Sequence, residues 1–319
     1  MGVALKRENI SFPVGKVNRM QMHPMNFREF LLAAGEDNLL AMLKNWETDR
    51  PIPDLYFVPM EQRLKEFYLV GGMPEAVVEW NETHDMASVE VVLDEILHDY
   101  ADDFAKHAPI DEVEKIRWIW DSVPTQLGKE NNKFVFSHVK QGRRAAELED
   151  ALQWLTDAGL VTKLELVEKP ELPFSSAANT TYFKVYYSDI GLLRRKSGLT
   201  AETILTDHAL FQKYRGSFAE NYVLNEMLSM GETAWFWRSG NTAEVDLLME
   251  QNGNLLPIEV KSADNTQAKS YKQFCARYHP PAGFKMSMRN IGEYMCGDTR
   301  TVSLPLFLTW NWKTYLNAQ

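Results

Sequence analysis

The chain has 319 residues, 45% of them hydrophobic and 24% charged, with nine tryptophans and a formal net charge of −10. That length suggests two or three domains, each with apolar material enough for a core. The acidic balance argues against broad, non-specific binding to nucleic acid, which needs a basic surface, but leaves a local basic groove open.

Cys275 and Cys296 are too few for a disulfide framework or a four-cysteine zinc site and read as buried thiols in a reducing cytosol. No apolar run approaches the roughly 20 residues that span a bilayer. The opening "MGVALKRENISF" lacks the apolar centre of a signal peptide, so the chain is expected in the cytoplasm, away from membranes.

Residues 1–25 offer one or two short strand-like pieces without nearby partners. Helical spacing begins after Asn26. Phe27, Phe30 and Leu31 share a face, as do Leu39, Met42 and Leu43, and Gly35 breaks the run. "PIPDLYF" reads as a connection. The next helix stops at Gly71–Gly72, and Pro74 opens another near its first turn. A long amphipathic helix in "DMASVEVVLDEILHDYADDFAKHA" completes a helical bundle over residues 26–110. Its His98–Asp102 and Asp103–His107 pairs have chelating spacing, but such pairs are usually plain helix-surface contacts.

Residues 111–200 change character. "VEKIRWIWDSVPTQL" predicts a helix ending before Pro124. "KFVFSHVKQG" predicts an extended piece and one helical turn. "RRAAELEDALQWLTDAGLV" predicts a helix with Leu148, Leu152 and Leu155 on one face. Two strands follow, in "LVTKLELVE" and "TYFKVYYSD". Helices followed by a two-stranded ribbon give the order of a winged helix, a helix-turn-helix variant. Arg143 and Arg144, at the start of its recognition helix, are the candidate nucleic-acid contacts, although Glu147, Glu149 and Asp150 follow at once and oppose phosphate. Trp118, Trp120 and Trp154 read as core, and Asp189 as a turn cap.

From residue 208 to 319 the pattern becomes α-β-β-β-α-β with a parallel return, a mixed α/β unit. Its centre is "AEVDLLMEQNGNLLPIEVKS". Asn252–Gly253 predicts a two-residue turn that sets Gln251 opposite Asn254 and Leu247 opposite Ile258. Pro257 then falls at a position that donates no hydrogen bond, as its missing N–H requires. The same register places Asp246 opposite Glu259, with Lys261 two residues along the same face and Val245, Leu247, Ile258 and Val260 on the other. Like charges directly opposite destabilise a sheet unless a cation lies between them. Lys261 offsets part of the repulsion. Mg²⁺, which favours one or two carboxylates plus substrate phosphate, would offset more and would serve phosphodiester hydrolysis.

An acid on the first helix (Glu220), an aspartate on the second strand (Asp246) and E-x-K on the third (Glu259, Lys261) resemble the PD-(D/E)XK restriction-endonuclease-like fold over residues 208–290. Val245 stands where that motif has proline. The resemblance implies Asp246, Glu259 and Lys261 as catalytic residues, and Asp246, Glu259 and Glu220 as Mg²⁺ ligands.

More widely, "MNFREFL", "YLVGGMPEAV", "ILHDYADDFAKHA", "LTDAGLV", "KVYYSDIGLL" and "GSFAENYVLNE" resemble prokaryotic AAA-type ATPases with a C-terminal domain of winged-helix plus endonuclease-like type. That resemblance makes residues 1–25 the end of the ATPase core and 26–110 its helical lid. The phosphate-cradling G-x-x-x-x-G-K-[ST] motif is missing: Gly15–Lys16 is followed by Val17, and Gly128–Lys129 by Glu130. The chain therefore reads as a truncated member from which ATP binding and hydrolysis are not expected. Its expected role is to bind DNA, a protein partner or a second copy of itself. The alternatives are an active Mg²⁺-dependent nuclease and a protein-interaction module with a relic acidic site.

Overall fold

The computed structural model describes residues 18, 20–129, 132–240, 243–262 and 268–317. Most of the strand-like stretch expected before Asn26 lies outside them. Helix α1 (Phe27–Ala33) starts where Asn26 and Glu29 cap each other reciprocally, each side chain accepting the other's backbone N–H at 2.9 Å. Helices α2 (Asp37–Leu43), α3 (Asp54–Val70), α4 (Pro74–Thr83) and α5 (Met86–His107) complete the expected bundle. α3 starts earlier than predicted, inside "PIPDLYF", and carries Pro59 within its length.

Helix α6 (Val113–Leu127) does not end before Pro124 as the sequence suggested; it runs on through it. Proline there leaves the carbonyl four residues back without its helical donor. That carbonyl, of Trp120, instead accepts the Tyr187 hydroxyl at 2.8 Å, and the helix continues. Helix α7 (Glu149–Asp157) is shorter than predicted. Gly142 sits at φ +83° and Arg144 is extended, so only a single 3₁₀ turn precedes α7, and Arg143 and Arg144 lie in the connection ahead of it.

Strand β1 (Val161–Val167), helix α8 (Phe174–Ala177) and strand β2 (Ala178–Tyr187) form the ribbon, followed by α9 (Ile190–Lys196) and α10 (Ala201–Leu205). Asp189 caps α9 through Leu192 N–H at 2.8 Å. Its other oxygen takes Gly72 N–H at 2.6 Å, bolting the α3–α4 turn to the ribbon's end. Glycine is required at that turn, because a Cβ on Gly72 would stand 2.0 Å from the Met25 carbonyl oxygen.

The predicted α-β-β-β-α-β order follows: α11 (Ala209–Ser229), β3 (Trp235–Ser239), β4 (Ala243–Gln251), β5 (Asn254–Val260), α12 (Lys269–Tyr278) and β6 (Ala282–Ser287). Beyond it lie β7 (Gly292–Cys296), β8 (Thr299–Pro305) and α13 (Trp312–Asn317), which sequence pattern did not resolve. The described residues thus hold thirteen α-helices and one eight-stranded mixed sheet, ordered β2-β1-β3-β4-β5-β6-β8-β7. β1 runs parallel beside β3, with Leu166 next to Phe236, so ribbon and C-terminal strands share that sheet. The expected parallel return is β5 beside β6.

α11 and α12 cover opposite faces. Leu247, Met249 and Ile258 pack in the main core with Phe218 and Tyr222 of α11, whereas Leu248 packs with Trp237 and with Phe274 of α12. Among the described residues no helix is long and apolar enough to cross a membrane.

Candidate functional site

The hairpin has the predicted register from Gln251–Asn254 to Leu247–Ile258, and its turn residues Asn252 and Gly253 sit at φ +53° and +77°. There the pairing ends, for a reason outside the hairpin. On its other side β4 pairs with β3, where Trp235 faces Leu248 but Trp237 faces Val245. Two steps along β3 therefore match three along β4, so β4 carries one extra residue at Asp246–Leu247, a β-bulge. This corrects two expectations. Val245 joins Leu248 against α12 rather than sharing a face with Leu247. Nor do the three charges share one plain strand face. Ile258 and Val260 pack in the main core, so Glu259 and Lys261 turn toward α12 by alternation, while Asp246 turns into the gap between the strands.

In that gap the Asp246 carboxylate accepts Val260 N–H at 2.8 Å, a donor that the hairpin register would have given to the Val245 carbonyl. The bulge nevertheless brings the three predicted residues together. Lys261 Nζ is 2.7 Å from Glu259 Oε1 and 3.8 Å from Asp246 Oδ2. Glu259 is 2% exposed, and its Oε2 is buried with no hydrogen-bond partner among the described residues. Burial, then the charges of Glu259 and Glu220, push the Asp246 carboxyl well above its usual range. Burial also raises Glu259, against the pull of Lys261. For Lys261, burial favours the neutral amine but the two carboxylates outweigh it, so the ammonium is held more firmly than in water.

Glu220 stands on α11 close enough to act on both acids. Its own carboxylate accepts Tyr186 Oη at 2.6 Å, Lys184 Nζ at 3.2 Å and Asn132 Nδ2 at 3.3 Å. Burial would raise it, but Lys184 and these donors keep it ionised below the usual range. Lys184, buried on β2, also pairs with Glu244 Oε1 at 2.7 Å. No motif announced Lys184. Its signal was a lysine inside the otherwise apolar and aromatic run "YFKVYY". On β6, Lys285 stands beside Glu259.

Arg143 pairs with Glu147 at 3.0 Å and lies 5.5 Å from the Trp118 ring centre, with Lys140 also over that ring at 4.8 Å. Arg144 is exposed beside it. The structure places both arginines on the α6–α7 connection, joined by no hydrogen bond or ion pair to the Asp246 cluster among the described residues.

Among the described residues no three His, Cys, Asp or Glu side chains gather as a metal-holding group. A hard divalent ion needs fewer here, since Mg²⁺ is held by one or two carboxylates with water and phosphate completing its shell. Two buried carboxyls, both raised chiefly by burial, one with an orphaned oxygen, fit that donor set.

Two family profiles match the chain, each described as a domain of unknown function. Residues 61–203 match Domain of unknown function (DUF8612), and residues 215–307 match Domain of unknown function (DUF4143). The second is typically the C-terminal domain of AAA-ATPase-like proteins. No curated protein and no solved structure matches the chain.

Proposed function

We propose that this chain is the C-terminal part of an AAA-type ATPase whose endonuclease-like domain hydrolyses phosphodiester bonds in nucleic acid with Mg²⁺. The order α6, α7, β1, β2 supports a winged helix beside it, and the order from α11 to β6 supports the endonuclease-like fold. The observation that carries the proposal is the buried, unpartnered Glu259 Oε2 beside Asp246 and Lys261, where the two strands part.

Asp246 and Glu259 would hold the ion. Bound there, it supplies a Lewis acid for the phosphate and lowers the pKa of a coordinated water. The chain's own groups do the rest. Asp246 is fixed through one oxygen by Val260 N–H. Lys261 stays an ammonium at neutral pH, so it donates to a phosphate oxygen or to the attacking water and does not act as the base. Arg143 and Arg144 offer a separate contact for the nucleic-acid backbone.

Incubation of the full chain with supercoiled plasmid tests this. Mg²⁺-dependent nicking is expected, stopped by chelator and reduced about a hundredfold or more in Lys261→Met. Nicking that persists in Lys261→Met, or none at all with Mg²⁺ or Mn²⁺, contradicts it.

A further inference from the structure

The ribbon strand β2 carries a second lysine into this acidic region. Lys184 is 1% exposed and lies 5.1 Å from the Phe236 ring centre, so little water reaches its ammonium. A buried ammonium persists only where carboxylates compensate its lost hydration. Glu220 at 3.2 Å and Glu244 at 2.7 Å provide that compensation, and Arg238 stands 3.9 Å from the other oxygen of Glu244. Tyr186 and Asn132 donate to Glu220 as well. The acids therefore divide into two sets. Glu220 and Glu244 are neutralised by fixed cations of the protein. Asp246 and Glu259 share Lys261, with Lys285 beside Glu259, and Glu259 keeps an oxygen without a hydrogen-bond partner among the described residues.

We infer that Lys184 is a positioning residue that withholds Glu220 from a bound cation, so that the site takes a divalent ion through two carboxylates, Asp246 and Glu259. This rests on the metal site proposed above and departs from the ligand set the sequence resemblance implies. It also gives the site its specificity. A two-carboxylate site leaves most of the ion's shell to water and phosphate, which suits Mg²⁺ and Mn²⁺. Ca²⁺ takes six to eight oxygens and would profit from a third carboxylate. Removing Lys184 would free Glu220 and delete a nearby positive charge, and both changes favour cation binding.

The test is calorimetric titration of MnCl₂ and CaCl₂ into the full chain as wild type, Lys184→Met, Glu220→Gln and the double variant, with thermal unfolding to check each fold. Lys184→Met is expected to bind Mn²⁺ about tenfold more tightly and to gain Ca²⁺ binding, with both gains lost in the double variant. Loss of the lysine's charge alone would tighten both ions alike, so the gain of Ca²⁺ over Mn²⁺ is the readout that a merely structural lysine would not give. Glu220→Gln is expected to weaken Mn²⁺ binding only about two- to threefold, through the loss of a nearby charge and not of a ligand, and this arm decides alone if Lys184→Met does not fold. A tenfold loss in Glu220→Gln, or unchanged affinity in a folded Lys184→Met, overturns the inference and leaves the metal site standing. A wild type that takes up no Mn²⁺ overturns both.

Discussion

Glu226 on α11 shows how one side chain couples packing to pH. One of its oxygens accepts Phe27 N–H at the start of α1 at 2.7 Å, tying the helical bundle to α11, while the other is buried with no partner among the described residues. Burial pushes this carboxyl up to about 8. An unfolded glutamate titrates near pH 4.3, so between there and pH 8 the folded chain keeps a proton that the unfolded chain has lost. The group's contribution is therefore fully present below the unfolded pKa and is lost as pH rises through 8. Glu226→Gln keeps an acceptor for Phe27 without the charge, and should gain stability over wild type at pH 9 on the order of 4 kcal/mol while differing little at pH 4. Thermal unfolding of both proteins across that range checks it. Parallel pH profiles would show that burial does not hold the proton. Asp189 and Asp246, raised in the same direction, leave the variant some residual slope.

Among elements, α6 shows a helix completed from a distance. Tyr187 is fully buried, lies against Trp120 with ring centres 4.2 Å apart and ring planes tilted by 39°, and gives its hydroxyl to the carbonyl that Pro124 leaves open. Tyr187→Phe should destabilise the chain by about 1–3 kcal/mol, the range for a buried acceptor left unpaired. In a Pro124→Ala background the new N–H serves that carbonyl, so the same substitution should lose most of its effect. Equal losses in both backgrounds, read from chemical denaturation, would contradict the assignment.

The same contact explains what the sequence pattern could and could not show. The hairpin register was legible because Asn252–Gly253 and Pro257 are local signals that agree. The α-β-β-β-α-β order was legible from alternating apolar runs. Helix α6 was predicted too short because its missing donor comes from a residue 67 positions away. Arg143 and Arg144 were placed on a helix because Leu148, Leu152 and Leu155 fix its face but not its start, which Gly142 and an extended Arg144 delay. Asp246, Glu259 and Lys261 were legible as a set. How they meet was not, because the bulge that turns Asp246 into the strand gap depends on pairing with β3. Lys184 escaped notice because its partners lie on two other elements.

Across the whole molecule, the two profile matches meet at one cluster. Lys184 and Tyr186 come from residues 61–203, and Glu220, Glu244, Asp246, Glu259 and Lys261 from residues 215–307. The β1–β3 pairing brings the ribbon to the sheet and so delivers Lys184 to the acids. The central claim is that the gap between β4 and β5 is a divalent-cation site. It is tested most directly by calorimetric titration of Mn²⁺ into wild type and Asp246→Asn, which keeps an acceptor for Val260 N–H and so preserves the strand gap. Burial and its acidic neighbours raise the Asp246 carboxyl's hold on a proton, with which the metal competes, so wild-type affinity should rise with pH. One ion bound per chain with that pH dependence, and about a hundredfold weaker binding in Asp246→Asn, is the result expected. Absence of binding in wild type, or equal binding by the variant, would contradict the account.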